Sequence, residues 1–422
     1  MNFVVLENTG KRLLEQFPFV KRSCKRVYQL GMYALSNEKF KSEGKVIRVS
    51  PDDKYEYFFG YYDKSPWDIT DRYMICLKVR QAYTSVAPKD DAEIILLDTK
   101  NGNKPYKIAA THAWNVQQGC MAQWLGPDFS ERIIYNDFRD KKYCSVIFNV
   151  KTKSEEKVLP LPVYSVSSEG TFALSLDFSR LHRLRKGYGY TNQPDVTEKE
   201  LCPDKTCIWK MDLQTSEVIE ILKYTDFANF IPREEMKGAE HKVNHLMISP
   251  DGERFMILHR WFKRGKKFTR LITAKCDGSD MYNLNDDNFT SHCYWKNSNE
   301  ILSFMRKFET GDHYYLMRDK TKEYKLFWQE LNTDGHCSYS PNSSLIVTDT
   351  YPNRKRLASV FICKEESNEA MKITRVFAPF RYDNDVRCDL HPRWNHAGDS
   401  VCIDSVHEGK RGLYIIPIIN QL

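Results

Sequence analysis

Four of the eleven histidines in this chain, His245, His292, His336 and His391, share one setting. Each stands five residues before a polar turn, the turns being anchored at Pro250, Asn297, Pro341 and His396. Imidazole is the commonest metal-binding side chain, and three or four converging ring nitrogens hold a divalent ion at about 2.0–2.2 Å. Repeated at one register in four successive units, the column predicts a metal or anion site. The plainer alternative is a consensus histidine bonded to the neighbouring unit. A second set of polar residues follows the turns by eight to ten positions: Asp177, His259 with Arg260, Arg306 with Lys307, Asp349 with Thr350, and Asp404 with Ser405. After Asp177 the chain continues Phe178-Ser179-Arg180-Leu181-His182-Arg183-Leu184-Arg185-Lys186-Gly187-Tyr188-Gly189-Tyr190, which is basic and aromatic. Guanidinium forks pair with carboxylates and aromatic rings cover sugar faces, so this rim suits an acidic sugar. Taken alone, it would serve equally as a solvated charge run.

A column of this kind needs repeating elements to align it. From about residue 45 the chain consists of short runs rich in Val, Ile, Tyr and Phe, separated by Asp, Asn, Gly, Ser and Pro, as in an all-β chain. His245-Leu246-Met247-Ile248-Ser249-Pro250-Asp251-Gly252 followed by Arg254-Phe255-Met256-Ile257-Leu258 reads as strand, tight turn, strand. Related turns are anchored at positions 66, 127, 168, 250, 297, 341 and 396. Four-stranded propeller blades take about 40–50 residues, so residues 45–422 predict a seven-bladed β-propeller. A pair of β-sandwiches is the competing architecture, and it leaves the regular turn unexplained. The 82-residue interval between positions 168 and 250 predicts an insertion over about 181–201. In a propeller the first strand of each blade lines the central channel. A residue five before the turn therefore sits at the opposite mouth, where its equivalents converge. In the first three repeats that column holds Tyr61, Ala122 or Met121, and Val163. Closing the ring requires Gly412–Ile418 to pair with a strand near Gly44–Val49.

Residues 1–44 read as a basic amphipathic helical extension, with helical character over 8–36 and a break at Pro18. Packing on the main domain with its cations in solvent is the expected arrangement; peripheral contact with an anionic membrane is the alternative. The net charge of +7 on 422 residues is modest, and no nucleic-acid-binding motif is visible, so nucleic acid is not expected as a partner. Phosphate-binding loops, dinucleotide fingerprints, serine-nucleophile elbows and H-E-x-x-H motifs are all missing from the sequence. No apolar run approaches the roughly 20 residues of a membrane-spanning helix. The twelve cysteines contain no C-x-x-C pair, and the first residues lack a secretory pattern. Reduced thiols in a cytoplasmic protein are the expectation.

The units His245…Ser249-Pro250-Asp251-Gly252, Asp334-Gly335-His336…Ser340-Pro341 and Asp389-Leu390-His391-Pro392-Arg393-Trp394, with Leu176-Asp177-Phe178-Ser179-Arg180-Leu181, resemble those of the oligogalacturonate lyases. The resemblance covers about residues 50–420. It implies a seven-bladed propeller enzyme that cleaves uronic-acid oligosaccharides by β-elimination with a histidine-held divalent metal, Mn²⁺, or Zn²⁺ as the stronger binder. It also implies a glutamine beside the histidines, and none stands in this register of the last four repeats. The metal ligands expected are His245, His292, His336 and His391. Arg180 is carried over as the base or its electrostatic helper, with His182, Tyr188, His259 and Arg260 as alternatives. The partner expected is an acidic oligosaccharide or polysaccharide. A non-catalytic propeller that binds acidic polysaccharide, or scaffolds its assembly machinery, is the reading from another class.

Overall fold

The computed structural model describes residues 18–35, 41–83, 88–367 and 369–418. Their strands form seven antiparallel sheets of four or five strands, one after another along the chain. The blades run over residues 56–111, 123–159, 165–223, 240–285, 290–327, 338–377 and 393–417. This is a seven-bladed β-propeller. First strands of successive blades from the third to the seventh lie against one another and line the axis. Second and third strands are covered by a blade on each side, so their sequences are apolar on both faces: Ile94-Ile95-Leu96-Leu97 is buried throughout. The outermost strand of the first blade, Lys104–Thr111, turns its first four residues to solvent.

Six of the seven turn anchors fall between the first and second strand of a blade, and Asn297 ends the first strand of the fifth. The chemistry of the turn explains its repetition. In the fourth blade Ser249 Oγ donates to Asp251 Oδ1 at 2.6 Å and accepts from the Arg254 amide at 3.0 Å. Ser340 makes the same pair of bonds to Asn342 and the Leu345 amide in the sixth. The seventh substitutes Asn395, whose Oδ1 accepts from the Ser400 amide at 2.9 Å. Neighbouring blades are stapled by indole N–H groups. Trp124, Trp295 and Trp394 donate to the backbone oxygens of Pro66, Met247 and Ser338, each in the preceding blade.

The ring closes through its N-terminal chain. Ile47 and Arg48 pair with Ile415 and Tyr414 to give the seventh blade its outer strand. Ser42 and Glu43 add a fifth strand to the sixth blade, opposite Val376 and Arg375. Ahead of them a helix over Pro18–Ala34 begins at the proline, whose missing N–H costs nothing in a first turn. It docks on the sixth blade: Arg26 donates to Asp383 and to the Phe380 backbone, and Tyr33 stacks on Phe377 at 5.0 Å. The first half of the expected helical stretch, residues 8–17, lies outside the described residues.

The insertion occupies the link between the second and third strands of the third blade. It opens earlier than the sequence suggested, with a helix over Phe178–Leu184 capped by Asp177, whose side chain accepts from the Arg180 amide. The long interval is shared with a second excursion after that blade, which contains a helix over Tyr224–Asn229. All twelve cysteines are unbridged, ten of them buried. No helix among the described residues is long and apolar enough to cross a membrane.

Strand pairing at the closure predicts an asymmetric response to truncation. Deleting residues 45–55 lowers the thermal unfolding midpoint far more than deleting residues 1–7. Equal midpoints for the two truncations would refute closure by the Ile47–Arg48 strand.

Candidate functional site

His245 and His292 sit where the first strand breaks step, and His336 and His391 stand two residues ahead of theirs. His245 has a φ of +57° inside a register shift between Asn244 and Met247. His292 lies within a second shift, between Thr290 and Cys293, and His391 has a φ of +46°. Such bulges abandon ladder hydrogen bonds and re-aim side chains, and non-glycine residues at positive φ are strained. The freed amides find buried acceptors in other strands. Tyr164 Oη accepts from the His245 amide at 3.2 Å, and Tyr62 Oη accepts from the Cys293 amide at 3.0 Å while donating to the Cys293 oxygen at 2.7 Å. Asp349 accepts from the amides of both His336 and His391, at 2.7 and 3.1 Å.

Re-aimed in this way, the four imidazoles converge. Ring centroids are 5.4 Å apart for His245 and His292, 4.0 Å for His292 and His336, and 4.3 Å for His336 and His391. Tyr61, the column residue of the first repeat, closes the arc at 5.3 Å from His245 and 5.2 Å from His391. Its hydroxyl meets His245 Nε2 at 2.6 Å.

Carboxylates fix the tautomers. His336 Nδ1 lies 2.8 Å from Asp349, and His292 Nδ1 lies 3.0 Å from Asp334, which also accepts from Ser291. With Nδ1–H donated, each ring keeps an unprotonated Nε2. Burial alone would lower the basicity of His336, but the charges of Asp349, Asp389 and Asp334 raise its pKa above the ordinary value. Burial, with the other imidazoles and Arg393, holds His391 well below it. The Nε2 atoms of His336 and His391 are buried without a hydrogen-bond partner. Ligand atoms of His336, Asp389 and His391 all lie within 4.8 Å of one another. Two orphaned imidazole nitrogens beside a carboxylate are a donor set for a first-row divalent ion. The third member of this group is an acid, Asp389, held by Arg387 through both its oxygens.

Next to the histidines lies a cavity of about 190 Å³ whose walls include His245, His292, Tyr188, Arg185, Lys242, Arg260, Lys267 and Tyr351. Tyr188 and Arg185 also wall a neighbouring cavity of about 260 Å³ with Gln117 and Arg387. Of the residues expected to carry the reaction, Tyr188 and Arg260 stand on the first cavity. Arg180, His182 and His259 do not.

Arg180 is fully buried and spends its guanidinium on backbone oxygens of His241, Thr197, Glu200 and Leu201 and on Thr197 Oγ1. It pins the insertion to the fourth blade, which places Arg185 and Tyr188 but leaves Arg180 no group free to act. His182 Nδ1 bonds the Tyr188 oxygen at 2.9 Å and so shapes the same loop. His259 accepts from Arg270 Nε and shares its other nitrogen with His241 at 2.9 Å, with burial pushing its pKa well down. It is a neutral structural link. Sequence reasoning missed Asp334 and Asp389 as site residues, although each stands two positions before a column histidine. That D-x-H spacing in consecutive repeats was the available signal.

The Asp334-Gly335-His336 segment presses against the sixth blade so closely that a Cβ on Gly335 would lie 1.8 Å from the Asp349 oxygen. Gly335→Ala should displace His336, lower the unfolding midpoint by the equivalent of about 1–3 kcal/mol, and weaken metal uptake. Unchanged metal affinity in this variant would show that His336 need not be so placed.

No protein-family profile matches the chain, and no curated protein matches it. Among solved structures it is similar to an oligogalacturonate lyase from Vibrio parahaemolyticus, with a TM-score of 0.63 and 15% identity, covering 91% of this chain and 96% of that one. It is similar also to an oligogalacturonate lyase in complex with manganese, again at TM-score 0.63 and 15% identity, over 89% and 94% of the two chains. What this chain shares with the oligogalacturonate lyases is the seven-bladed propeller fold along nearly its whole length.

Proposed function

We propose that this propeller is a metal-dependent lyase that cleaves uronic-acid-containing sugars by β-elimination. The observation that carries the reading is the pair of buried, unpartnered Nε2 atoms on His336 and His391 beside the Asp389 carboxylate. Unsatisfied buried polar atoms are costly and call for an occupant. His336, His391 and Asp389 are the residues that would hold the ion, with His292 adjacent. Manganese fits the mixed imidazole and carboxylate set and is the metal named with one of the similar lyases.

A bound divalent ion supplies positive charge against the uronate carboxylate, which makes the neighbouring C5 proton easier to remove. The chain's own residues must accept that proton and deliver one to the departing C4 oxygen. We assign both tasks to Tyr188. Burial, with the charge of Asp389, raises its pKa, so the phenol rests protonated; the cations of Arg185 and Arg387 oppose that shift and would lower the cost of forming the phenolate. Arg185 lies over its ring at 5.2 Å. The phenolate oxygen takes the C5 proton, the C4–O bond breaks as the C4–C5 double bond forms, and the same hydroxyl returns the proton to the leaving oxygen. Asp349 acts at one remove. It orients His336 through Nδ1 and both column amides, so it is a positioning residue.

Three measurements test this reading. Protein purified without chelator should carry about one divalent first-row ion per chain by elemental analysis, and His336→Ala and His391→Ala should each lose it. Asp349→Asn should weaken metal binding by about 10–100-fold. With a uronic-acid oligosaccharide, the wild type should form an ultraviolet-absorbing product with a C4–C5 double bond. Tyr188→Phe should keep the metal and lose turnover. A metal-loaded protein that binds such oligomers and eliminates none of them would instead be a binding propeller.

A further inference from the structure

The cavity beside the histidines has a charge imbalance that elimination on a simple uronate does not use. Lys242, Arg260, Lys267 and Arg185 share its wall with one carboxylate, Asp334, which is bonded to His292 and Ser291. Lys242 and Arg260 stand directly opposite one another on paired strands, and both are buried, with 2% and 8% of their surface exposed. Like charges facing each other across a strand pair are destabilising, and buried charges without partners more so. Among the described residues none of the four has a carboxylate within ion-pairing distance. Arg260 reaches only the Thr290 oxygen, at 3.5 Å, and its Nε is buried without a partner. The acids nearby are already committed: Asp334 to His292 and Ser291, Asp349 to His336 and His391, Asp389 to Arg387, and Asp404 to Arg393. Burial and then Arg260 push Lys242 well below the ordinary lysine value, and Arg260, with burial, brings the pKa of Lys267 down to about 8, so an anion in the cavity would restore charge to both.

We propose that these cations bind a phosphoryl group on the sugar, so that the substrate is a uronic acid carrying a phosphate ester or diphosphate as well as its carboxylate. This rests on the lyase reading, in which the carboxylate lies toward His336, His391 and Asp389 and leaves the cations unanswered. A second carboxylate would bring one charge and two oxygens. A phosphoryl group brings a charge of about −1.5 to −2 and three acceptor oxygens, a closer match to four basic side chains around one small cavity. Lysine and arginine are the side chains suited to it, as point charge and as fork. Phe262 and Phe289 on the same wall supply apolar surface for a sugar face. The chain tolerates a destabilising cluster here, as binding sites do where function opposes stability.

The test measures binding to chelator-treated, metal-free protein by calorimetry, so that turnover does not enter. Glucuronate 1-phosphate should bind at least ten-fold more tightly than glucuronate or digalacturonate, and its affinity should fall as salt rises. UDP-glucuronate in a parallel titration distinguishes a diphosphate from a phosphate ester by which of the two binds more tightly. Lys242→Met should abolish the preference while raising the unfolding midpoint, because it replaces a buried polar amine facing a guanidinium with an apolar side chain; Arg260→Gln should abolish the preference as well. Equal affinity for glucuronate and its 1-phosphate, or tighter binding of digalacturonate than of the phosphosugar, overturns the proposal. So does a Lys242→Met protein that is less stable with its preference intact. If unphosphorylated oligouronates are eliminated and phosphate adds no affinity, the lyase reading stands and this one falls. If the phosphosugar binds tightly and no metal-loaded protein eliminates any uronate, the lyase reading falls and the phosphoryl site remains.

Discussion

Asp349 is the group on which the arrangement of this molecule turns. One buried carboxylate accepts the amides of His336 and His391 from two blades and the Nδ1–H of His336. A first strand that bulges to aim an imidazole at the axis must abandon ladder bonds, and a buried N–H left unpaired would cost more than the imidazole's placement could return. The propeller resolves the conflict by ending second strands on an acceptor. Asp349 serves blades six and seven; Asp404 receives the amides of Phe59 and Gly60, and Asp137 that of His112. Where no acid is present, tyrosine hydroxyls from other blades act, as Tyr62 and Tyr164 do. Acceptors on second strands therefore serve both ends: Asp349 orients the histidines, and Asp404 ties the first blade to the seventh.

That economy divides the mouth into two electrostatic halves. The acids are used up around His292, His336 and His391, where they fix tautomers and leave two Nε2 atoms open. The basic side chains of the fourth blade and the insertion gather on the other side, where the one carboxylate on their wall, Asp334, is bonded to His292 and Ser291. Tyr61 and Tyr62, with ring centroids 4.9 Å apart, lie among the four histidines. Tyr61 closes the arc of imidazoles at the axis, while Tyr62 is bonded into the backbone of the fifth blade.

The insertion supplies what the repeat does not. Its helix, capped by Asp177, and the five acceptors gathered by Arg180 hold a loop whose return carries Arg185 and Tyr188 to the histidine mouth. A buried guanidinium satisfied by backbone oxygens is a rigid anchor for irregular chain, which otherwise has no ladder to fix it. Removing it would displace Arg185 and Tyr188 without taking any group from the cavity wall itself.

The sequence by itself determined the blade count, the turn chemistry and the histidine column. Each of these is local: a serine or asparagine bonding an amide five residues on fixes the turn, and the turn fixes where position −5 falls on its strand. The same reasoning placed Tyr61 in the column and Asp349 at the end of its second strand. Only the tertiary structure decided which of those residues face the cavity. Strand alternation predicts direction until a bulge interrupts it, and here the bulges lie at the column, so Lys242 and Arg260 came to share a wall with His245. His259, one residue from Arg260, points to the opposite face and joins His241 and Arg270. Arg180 was carried over from the resemblance as the reacting group, but its partners lie 17 to 61 residues away, and contacts at that separation are set by packing, which no local pattern encodes.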